Sequence, residues 1–179
     1  TSSILNNIAL VAFCLSLLWT LFAGRDEQNY RDRFKKDGVR LHFVGERDSL
    51  SPKVRDGLGQ AEAATAHNTR LVLNVCFNYG GRWDIAQAAA SLAARGEPIT
   101  EASLHSAMGL AHVPDPDLVI RTGGEMRISN FLLWQSAYAE FCFTDTNWPD
   151  FTPECFVDAM LDYAGRDRRF GGLSDSKTK

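Results

Sequence analysis

The chain has 179 residues, which is enough for one domain with its own hydrophobic core. Its 45% hydrophobic and 23% charged residues are typical of a soluble globular protein, and its formal net charge of −3 argues against a general nucleic-acid binder. Any site for an anion must therefore be local.

The four cysteines of the chain are widely scattered and form no C-x-x-C pair. They are Cys14, Cys76, Cys142 and Cys155. Because several of them lie in apolar runs, they are predicted to be reduced core residues, which is typical of a cytoplasmic protein.

The first predicted element is an apolar helix at 8–23, with the sequence IALVAFCLSLLWTLFA. As a helix this segment is about 24 Å long, shorter than the hydrocarbon core of a membrane at about 30 Å. The residues before it carry no positive charge, which argues against a signal peptide. We expect a buried or ligand-lining helix, with a membrane segment as the alternative.

Beyond this helix, patterns typical of strands and of helices alternate along the chain. The predicted strands are 39–44, 70–77, 117–122 and 140–144. The predicted helices begin at Pro52, near Asp84, at Glu101, near Asn130 and at Pro153. Asp84 and Thr100 are expected to cap their helices. The alternation predicts an α/β fold, a mostly parallel sheet with helices on both faces.

The turn RTGGEMRIS, after the third predicted strand, is the main candidate site. Arg121 ends the strand, and Arg127 and Ser129 are expected at the entry to a helix, where backbone N–H groups favour phosphate. The glycine pair allows a sharp turn that brings N–H groups close to a ligand. Two guanidinium groups and a hydroxyl suit a diphosphate. The alternative is that both arginines pair with surface carboxylates, Glu125 among them.

Glu140 is the candidate metal ligand. It lies between two apolar stretches, where a carboxylate is costly unless it is paired or binds a metal. A hard cation such as Mg²⁺ takes one or two carboxylates together with phosphate oxygens. The alternative is a strand-end residue that faces water.

Two further features have ordinary structural explanations at this level. The arginines of RRFGG, at 168–172, would complement the dipole at the end of the last helix. The histidines have no metal-site or triad spacing and are interpreted as structural or surface residues. They are His42, His67, His105 and His112.

The candidate site belongs to a longer stretch that resembles one protein family. The string DLVIRTGGEMRISNFLLWQSAYAEFCFTDTNWPDF, with NYGGRWDI before it and RRFGG after it, is similar to the cis-prenyltransferase family. The bacterial undecaprenyl pyrophosphate synthases are the members that it resembles most. The similarity runs from about Val39 to Gly172.

The resemblance implies roles for particular residues. Three of them would bind the diphosphate of isopentenyl pyrophosphate, namely Arg121, Arg127 and Ser129. Ile128 would be a further substrate-binding residue. Glu140 would help to hold Mg²⁺, and Arg169 and Gly171 would reach the same pocket across a homodimer. The implied fold is a parallel sheet with helices around a hydrophobic tunnel for the growing polyprenyl chain.

The resemblance also implies the organisation of the chain. A single prenyltransferase domain would cover 1–172. The tail at 173–179, LSDSKTK, is expected from its own sequence to be disordered. Phe13, Leu17 and Leu21 of the apolar helix would line the tunnel.

The chain departs from the family at two points. Met126 stands where family members commonly have histidine. The family's D-G-N-G-R-W motif, which carries the catalytic and Mg²⁺-binding aspartate, does not occur in these residues. We therefore expect an amino-terminally truncated domain that lacks the first strands of the family fold, contains no catalytic residue and is inactive alone.

The expected activity follows from the resemblance. The family condenses isopentenyl pyrophosphate with an allylic diphosphate such as farnesyl pyrophosphate, with Mg²⁺, to give a long polyprenyl diphosphate carrier for cell-wall synthesis. A cytoplasmic homodimer at the inner face of the membrane is expected, with membrane contact through the lipid product. The alternatives are a non-catalytic partner subunit of a prenyltransferase and a membrane-anchored binding protein.

Overall fold

The computed structural model describes residue 34 and residues 36–167. The predicted apolar helix at 8–23, with its tunnel residues, and the predicted tail at 173–179 lie outside the described residues. The chain divides into two compact units, one up to Pro114 and the other from Asp115 onwards. Each unit is built on one pair of parallel strands. The single domain over 1–172 stays a prediction.

The first unit contains the strands β1 (Val39–Val44) and β2 (Leu71–Cys76). They pair in parallel from Val39 opposite Leu71 to Val44 opposite Cys76. Helix α1 (Pro52–Thr65) connects them and begins with proline in its first turn, where the missing N–H has no partner to lose. These elements agree closely with the sequence prediction.

The core of the first unit lies between α1 and the strand pair. Its buried members are Leu41, Phe43, Leu58, Ala61, Leu73 and Val75. The strand members are spaced two residues apart, so they project from one face of the pair. This cluster removes a continuous apolar surface from water, which is the main stabilising contribution to a fold of this kind.

Side chains of α1 satisfy the edge of β1 that does not face β2. The N–H of Leu41 donates to Oγ1 of Thr65 at 3.0 Å, and the N–H of Phe43 donates to Oε1 of Glu62 at 2.7 Å. Arg47 donates to the carbonyl of Phe43 and to both carboxylate oxygens of Glu62. This edge therefore has hydrogen-bond partners without a further strand.

Helix α2 (Gly81–Ala94) follows the glycine turn after β2, as predicted, but Asp84 does not cap it. The cap position is Gly80, and Asp84 is buried in the first turn of the helix. Its carboxylate accepts hydrogen bonds from the Tyr79 hydroxyl and the Gly109 N–H, each at 2.9 Å. Asp84 thus serves tertiary contacts, which local sequence does not reveal.

Helix α3 (Glu101–Ala107) begins as predicted. The side chain of Thr100 accepts the N–H of Ser103 at 3.1 Å, and the Ser103 hydroxyl accepts the N–H of Thr100 at 2.9 Å. This reciprocal pair satisfies two backbone donors at the start of the helix.

The cysteines of the described part are all free thiols. Cys76 is buried, while Cys142 and Cys155 are half-buried. Burial, with a contribution from the nearby carboxylate of Asp84, raises the pKa of the Cys76 thiol to about 12. Cys76 is therefore an unreactive core residue.

The second unit contains the strands β3 (Leu118–Arg121) and β4 (Glu140–Phe143). They pair in parallel, with Leu118 opposite Glu140 and Arg121 opposite Phe143. Both strands lie within the predicted segments.

Helix α4 (Pro153–Ala164) closes the second unit, after a short 3₁₀ helix at Trp148–Asp150. Thr152 caps α4 by accepting the N–H of Cys155 at 3.5 Å. The strand pairs and the described helices together confirm the α/β class. None of the helices in the described part is long and apolar enough to cross a membrane.

The predicted helix from about Asn130 is wrong, because residues 129–138 form turns. The backbone angle φ is +46° at Ser129, +64° at Asn130 and +42° at Leu132. Left-handed backbone of this kind cannot continue a right-handed helix. Leu132 is nevertheless fully buried, so the apolar run supplies core side chains from an irregular segment.

Candidate functional site

The glycine turn after β3 is fixed by backbone contacts with the segment after β4. The angle φ is +85° at Gly123 and +74° at Gly124, which favours glycine at both positions. The Gly123 N–H donates to the carbonyl of Thr146, and the Gly124 N–H donates to that of Thr144, each at 3.0 Å. The prediction that these N–H groups face a ligand is therefore wrong. The glycines position the turn.

Arg121 ends β3 and is half-buried. Its Nε is buried and has no hydrogen-bond partner among the described residues. A buried guanidinium donor without an acceptor is costly, so this nitrogen favours a bound anion. The role of Arg121 in binding a diphosphate stays a prediction.

Arg127 lies on the far side of the glycine pair and is 66% exposed. Its guanidinium is paired with the carboxylate of Glu125. The alternative considered from the sequence therefore holds for Arg127 in this structure. An ion pair this exposed contributes little, so an anion carrying more charge can replace Glu125 at small cost.

Ile128 and Ser129 continue the turn from Arg127. The carbonyl of Ile128 accepts the N–H of Phe131 at 2.9 Å, and Ser129 is exposed with left-handed backbone. Since no helix begins here, the helix dipole expected to favour phosphate is not present. The positive charge that can attract a phosphate at this turn comes from the arginine side chains.

Glu140 begins β4 opposite Leu118, whereas Arg121 ends β3 opposite Phe143. Three residue steps in a strand span about 10 Å. The backbone positions of Glu140 and Arg121 therefore lie at opposite ends of the strand pair, and the structure does not bring these two residues side by side.

The carboxylate of Glu140 is bound by Arg166, a residue that sequence reasoning missed. Nη1 of Arg166 donates to Oε2 of Glu140 at 2.9 Å and to the Phe141 carbonyl at 3.0 Å, while Nη2 donates to Asp162 at 2.5 Å. The hydrogen bond to Glu140 makes the largest contribution to raising the pKa of Arg166, and the bond to Asp162 adds to it. The four-residue spacing of Asp162 and Arg166 is a helical ion-pair signal that could have identified this arginine.

A carboxylate oxygen is the donor type that Mg²⁺ prefers, and no described residue donates a hydrogen bond to Oε1 of Glu140. The described residues form no cluster of three acidic, histidine or cysteine side chains that could hold a metal. Among the described residues, Glu140 therefore fits a cation as a single protein ligand, with phosphate oxygens among the other ligands. Arg169 and Gly171 lie outside the described residues.

Comparison with known proteins decides the family. The family model described as "Putative undecaprenyl diphosphate synthase" matches residues 10–171. The chain belongs to this prenyltransferase family. Family membership agrees with the resemblance seen in the sequence.

Curated relatives of this prenyltransferase chain are close in sequence. The isoprenyl transferase of Neisseria meningitidis serogroup B is 47% identical over 162 residues, which cover 90% of this chain and 65% of that protein. The farnesyl-diphosphate-specific ditrans,polycis-undecaprenyl-diphosphate synthase of Xanthomonas campestris pv. campestris is 50% identical over 147 residues, covering 78% and 57%. The chain thus spans less than two thirds of the length of these relatives.

Solved structures of prenyltransferases have the same fold. A probable undecaprenyl diphosphate synthase from Campylobacter jejuni matches with a TM-score of 0.77 at 32% identity, covering 88% of this chain and 76% of that one. Lavandulyl diphosphate synthase from Lavandula x intermedia, solved with dimethylallyl diphosphate, matches with a TM-score of 0.71 at 31% identity, covering 80% and 69%. The predicted undecaprenyl-pyrophosphate-synthase-like fold is confirmed.

Proposed function

We propose that the protein is a cis-prenyltransferase that adds isopentenyl pyrophosphate units to an allylic diphosphate to make a polyprenyl diphosphate carrier lipid. In this reaction the allylic carbon–diphosphate bond breaks, the double bond of isopentenyl pyrophosphate forms the new carbon–carbon bond, and a proton is lost. The farnesyl-diphosphate specificity in the names of relatives supports farnesyl pyrophosphate as the primer.

The observation that carries the proposal is the buried Nε of Arg121 at the end of β3, which has no hydrogen-bond partner in the described part of the chain. In parallel sheets, ligands gather at the carboxyl ends of strands. An isopentenyl diphosphate bound here would give this nitrogen its acceptor. Arg127, Ile128 and Ser129, on the exposed turn beyond the glycines, would contact the same diphosphate.

Glu140 is proposed to contribute one oxygen to Mg²⁺. A divalent cation neutralises diphosphate charge and supplies Lewis acidity when bound. Glu140 and Arg121 mark opposite ends of one strand pair. The side chains of Glu140 and Arg121 must therefore extend towards a common cation–diphosphate complex, or residues outside the described part must also bind the cation.

Arg169 and Gly171 are proposed to act across a homodimer. The test uses the full-length chimera in which residues 10–171 replace the matching segment of the Neisseria isoprenyl transferase, and mixes its Arg169→Ala and Arg121→Ala variants. Some mixed dimers then have one site that has both arginines. Recovery of activity on mixing supports this proposal. No recovery, with subunit exchange demonstrated by differently tagged chains, contradicts it.

The proposed location is the cytoplasm, with contact to the inner face of the membrane through the lipid product. Fractionation of cells that express the tagged protein, followed by a high-salt wash of the membranes, tests this proposal. Release of the protein by the wash is expected for peripheral contact.

Binding of isopentenyl pyrophosphate by the chain itself is the first test of function. Isothermal titration of the purified chain in EDTA measures the arginine site without metal. We expect specific binding that Arg121→Ala weakens. Equal heats for the parent and for Arg121→Ala would contradict the proposal.

Catalysis is tested in a chimera, because the chain matches only part of each relative. Residues 10–171 replace the matching segment of the Neisseria isoprenyl transferase, and the chimera receives Mg²⁺, farnesyl pyrophosphate and labelled isopentenyl pyrophosphate. We expect butanol-extractable labelled polyprenyl product. A chimera that binds isopentenyl pyrophosphate yet transfers no label would reject the enzymatic proposal for this segment.

A further inference from the structure

Arg166 occupies the carboxylate that the proposed function assigns to a metal. Its guanidinium binds Oε2 of Glu140, and its side chain is 29% exposed beside a Glu140 side chain that is 33% exposed. Water therefore reaches the pair, and the contact can open without exposing a buried charge.

The guanidinium has two other acceptors on the same unit. It donates to the Phe141 carbonyl through Nη1 and to the Asp162 carboxylate through Nη2. If Glu140 turned away, Arg166 would keep both of these bonds. The Arg166 guanidinium can therefore release Glu140 by losing only one of its own three described contacts.

A guanidinium and a divalent cation compete for a carboxylate because both are positive and each weakens the other at short range. Asp162 attracts the same guanidinium, so it draws charge away from Glu140. Arg166 therefore stands between two carboxylates that compete for it.

We propose that Arg166 is a positioning residue that competes with the divalent cation for Glu140 and so sets the Mg²⁺ concentration at which the diphosphate site is loaded. This inference rests on the proposed function, since it requires Glu140 to be a metal ligand. Asp162 acts in the opposite direction by retaining Arg166 when the cation binds.

The readout is the metal enhancement of isopentenyl pyrophosphate binding. It is the dissociation constant in EDTA divided by the dissociation constant in Mg²⁺, both measured by calorimetry. This metal enhancement does not depend on turnover. Arg166→Gln should raise it by about two- to fivefold. Asp162→Asn should lower it by about two- to fivefold, because the guanidinium then favours Glu140.

A matched control removes an arginine from an ion pair elsewhere. Arg95 is bound to Glu97 at 2.6 Å after α2, and Arg95→Gln should leave the enhancement unchanged. A purely structural role for Arg166 predicts that Arg166→Gln and Asp162→Asn change the enhancement in the same direction or not at all. Either result would overturn the inference.

Glu140→Gln separates this inference from the proposed function. If it abolishes the enhancement while Arg166→Gln leaves it unchanged, the metal assignment stands and the competition is wrong. If it changes nothing, both the metal assignment and the competition are wrong, while binding in EDTA still tests the arginine site. Should Arg166→Gln fail to fold, Asp162→Asn decides alone, and an unchanged or raised enhancement overturns the proposal.

Discussion

The two parallel strand pairs differ in how they use their side chains. β1 and β2 each bury three or more residues, whereas no residue of β3 or β4 is fully buried. The first pair packs on α1 around an apolar cluster, and the second carries the two strand-end charges at Arg121 and Glu140. Stability should therefore depend most on the first pair, and ligand binding on the second.

The largest expected effect breaks the core of the first unit. Leu58 is 2% exposed, and Leu58→Ala should lower the free energy of unfolding by about 2–5 kcal/mol, through lost burial and a residual cavity. The control is Leu161→Ala on α4, where leucine is 66% exposed and the change should stay within about 0.5 kcal/mol. Urea denaturation measures both, and equal losses would erase the contrast between the units.

The next effect concerns binding in the second unit. Arg121→Ala should weaken isopentenyl pyrophosphate binding by roughly 10- to 150-fold, the value of a charge-assisted hydrogen bond of about 1.5–3 kcal/mol. Arg127→Ala should cost less, because Arg127 must first leave Glu125. Glu125→Gln should strengthen binding by up to about fivefold. An Arg127→Ala loss larger than that of Arg121→Ala would reverse our ranking of the two arginines.

A smaller effect tests the edge of β1. Thr65 is fully buried, and its hydroxyl accepts the N–H of Leu41. Thr65→Val keeps the shape but leaves that N–H without an acceptor, at a cost of about 1–3 kcal/mol in the free energy of unfolding. Thr65→Ser retains the acceptor and should cost less. If valine is as stable as threonine, water or another group satisfies this edge.

The smallest effect is a pH dependence in the first unit. The rings of His42 and His112 pack edge to face, with 4.3 Å between their centroids. Nε2 of His112 is hydrogen-bonded to Oδ1 of Asn74 at 2.8 Å. Burial lowers the pKa of both histidines. The carboxylate of Glu62 raises the pKa of His42 and so opposes the effect of burial, whereas two arginines lower it further. The pKa of His112 is lowered further by His42 and by one arginine.

The sign of this pH dependence follows from the lowered pKa values. The unfolded chain, with a histidine pKa of about 6.5, binds more protons than the folded chain below that pH. Stability is therefore full above about pH 6.5 and falls as the pH drops through the lowered pKa values. Urea midpoints at pH 7.5 and 5.5 should differ in this direction. His112→Gln should reduce the difference and the exposed control His67→Gln should not.

Much of the fold was predictable because it depends on local pattern. The four strands have compact apolar runs, and α1, α3 and α4 begin at proline or threonine signals. The segment at 129–138 was not predictable in this way. Its apolar residues follow helical spacing, but three left-handed residues within four positions break the helix. Such backbone is selected by tertiary packing around the buried Leu132, which periodicity does not reveal.

The site was predictable in its residue types but not in its geometry. The sequence identified Arg121, Arg127 and Glu140 and left open that arginines pair with Glu125. It did not show that the bond from Arg166 to Glu140 crosses 26 positions, or that β3 and β4 place Arg121 and Glu140 at opposite ends. Contacts of long sequence separation depend on strand register, which one sequence does not specify.

The backbone bonds from Gly123 and Gly124 to the segment after β4 have a kinetic consequence. A turn already tied to its neighbour is preorganised, so a ligand pays little conformational entropy to order it. Association of isopentenyl pyrophosphate should therefore be a single fast phase without a slow rearrangement step. A side chain at Gly124 would lie 3.2 Å from the Asp145 carboxylate, and its backbone would be strained. Gly124→Ala should loosen the tie, so that binding acquires a slower, concentration-independent phase while both arginines remain in place.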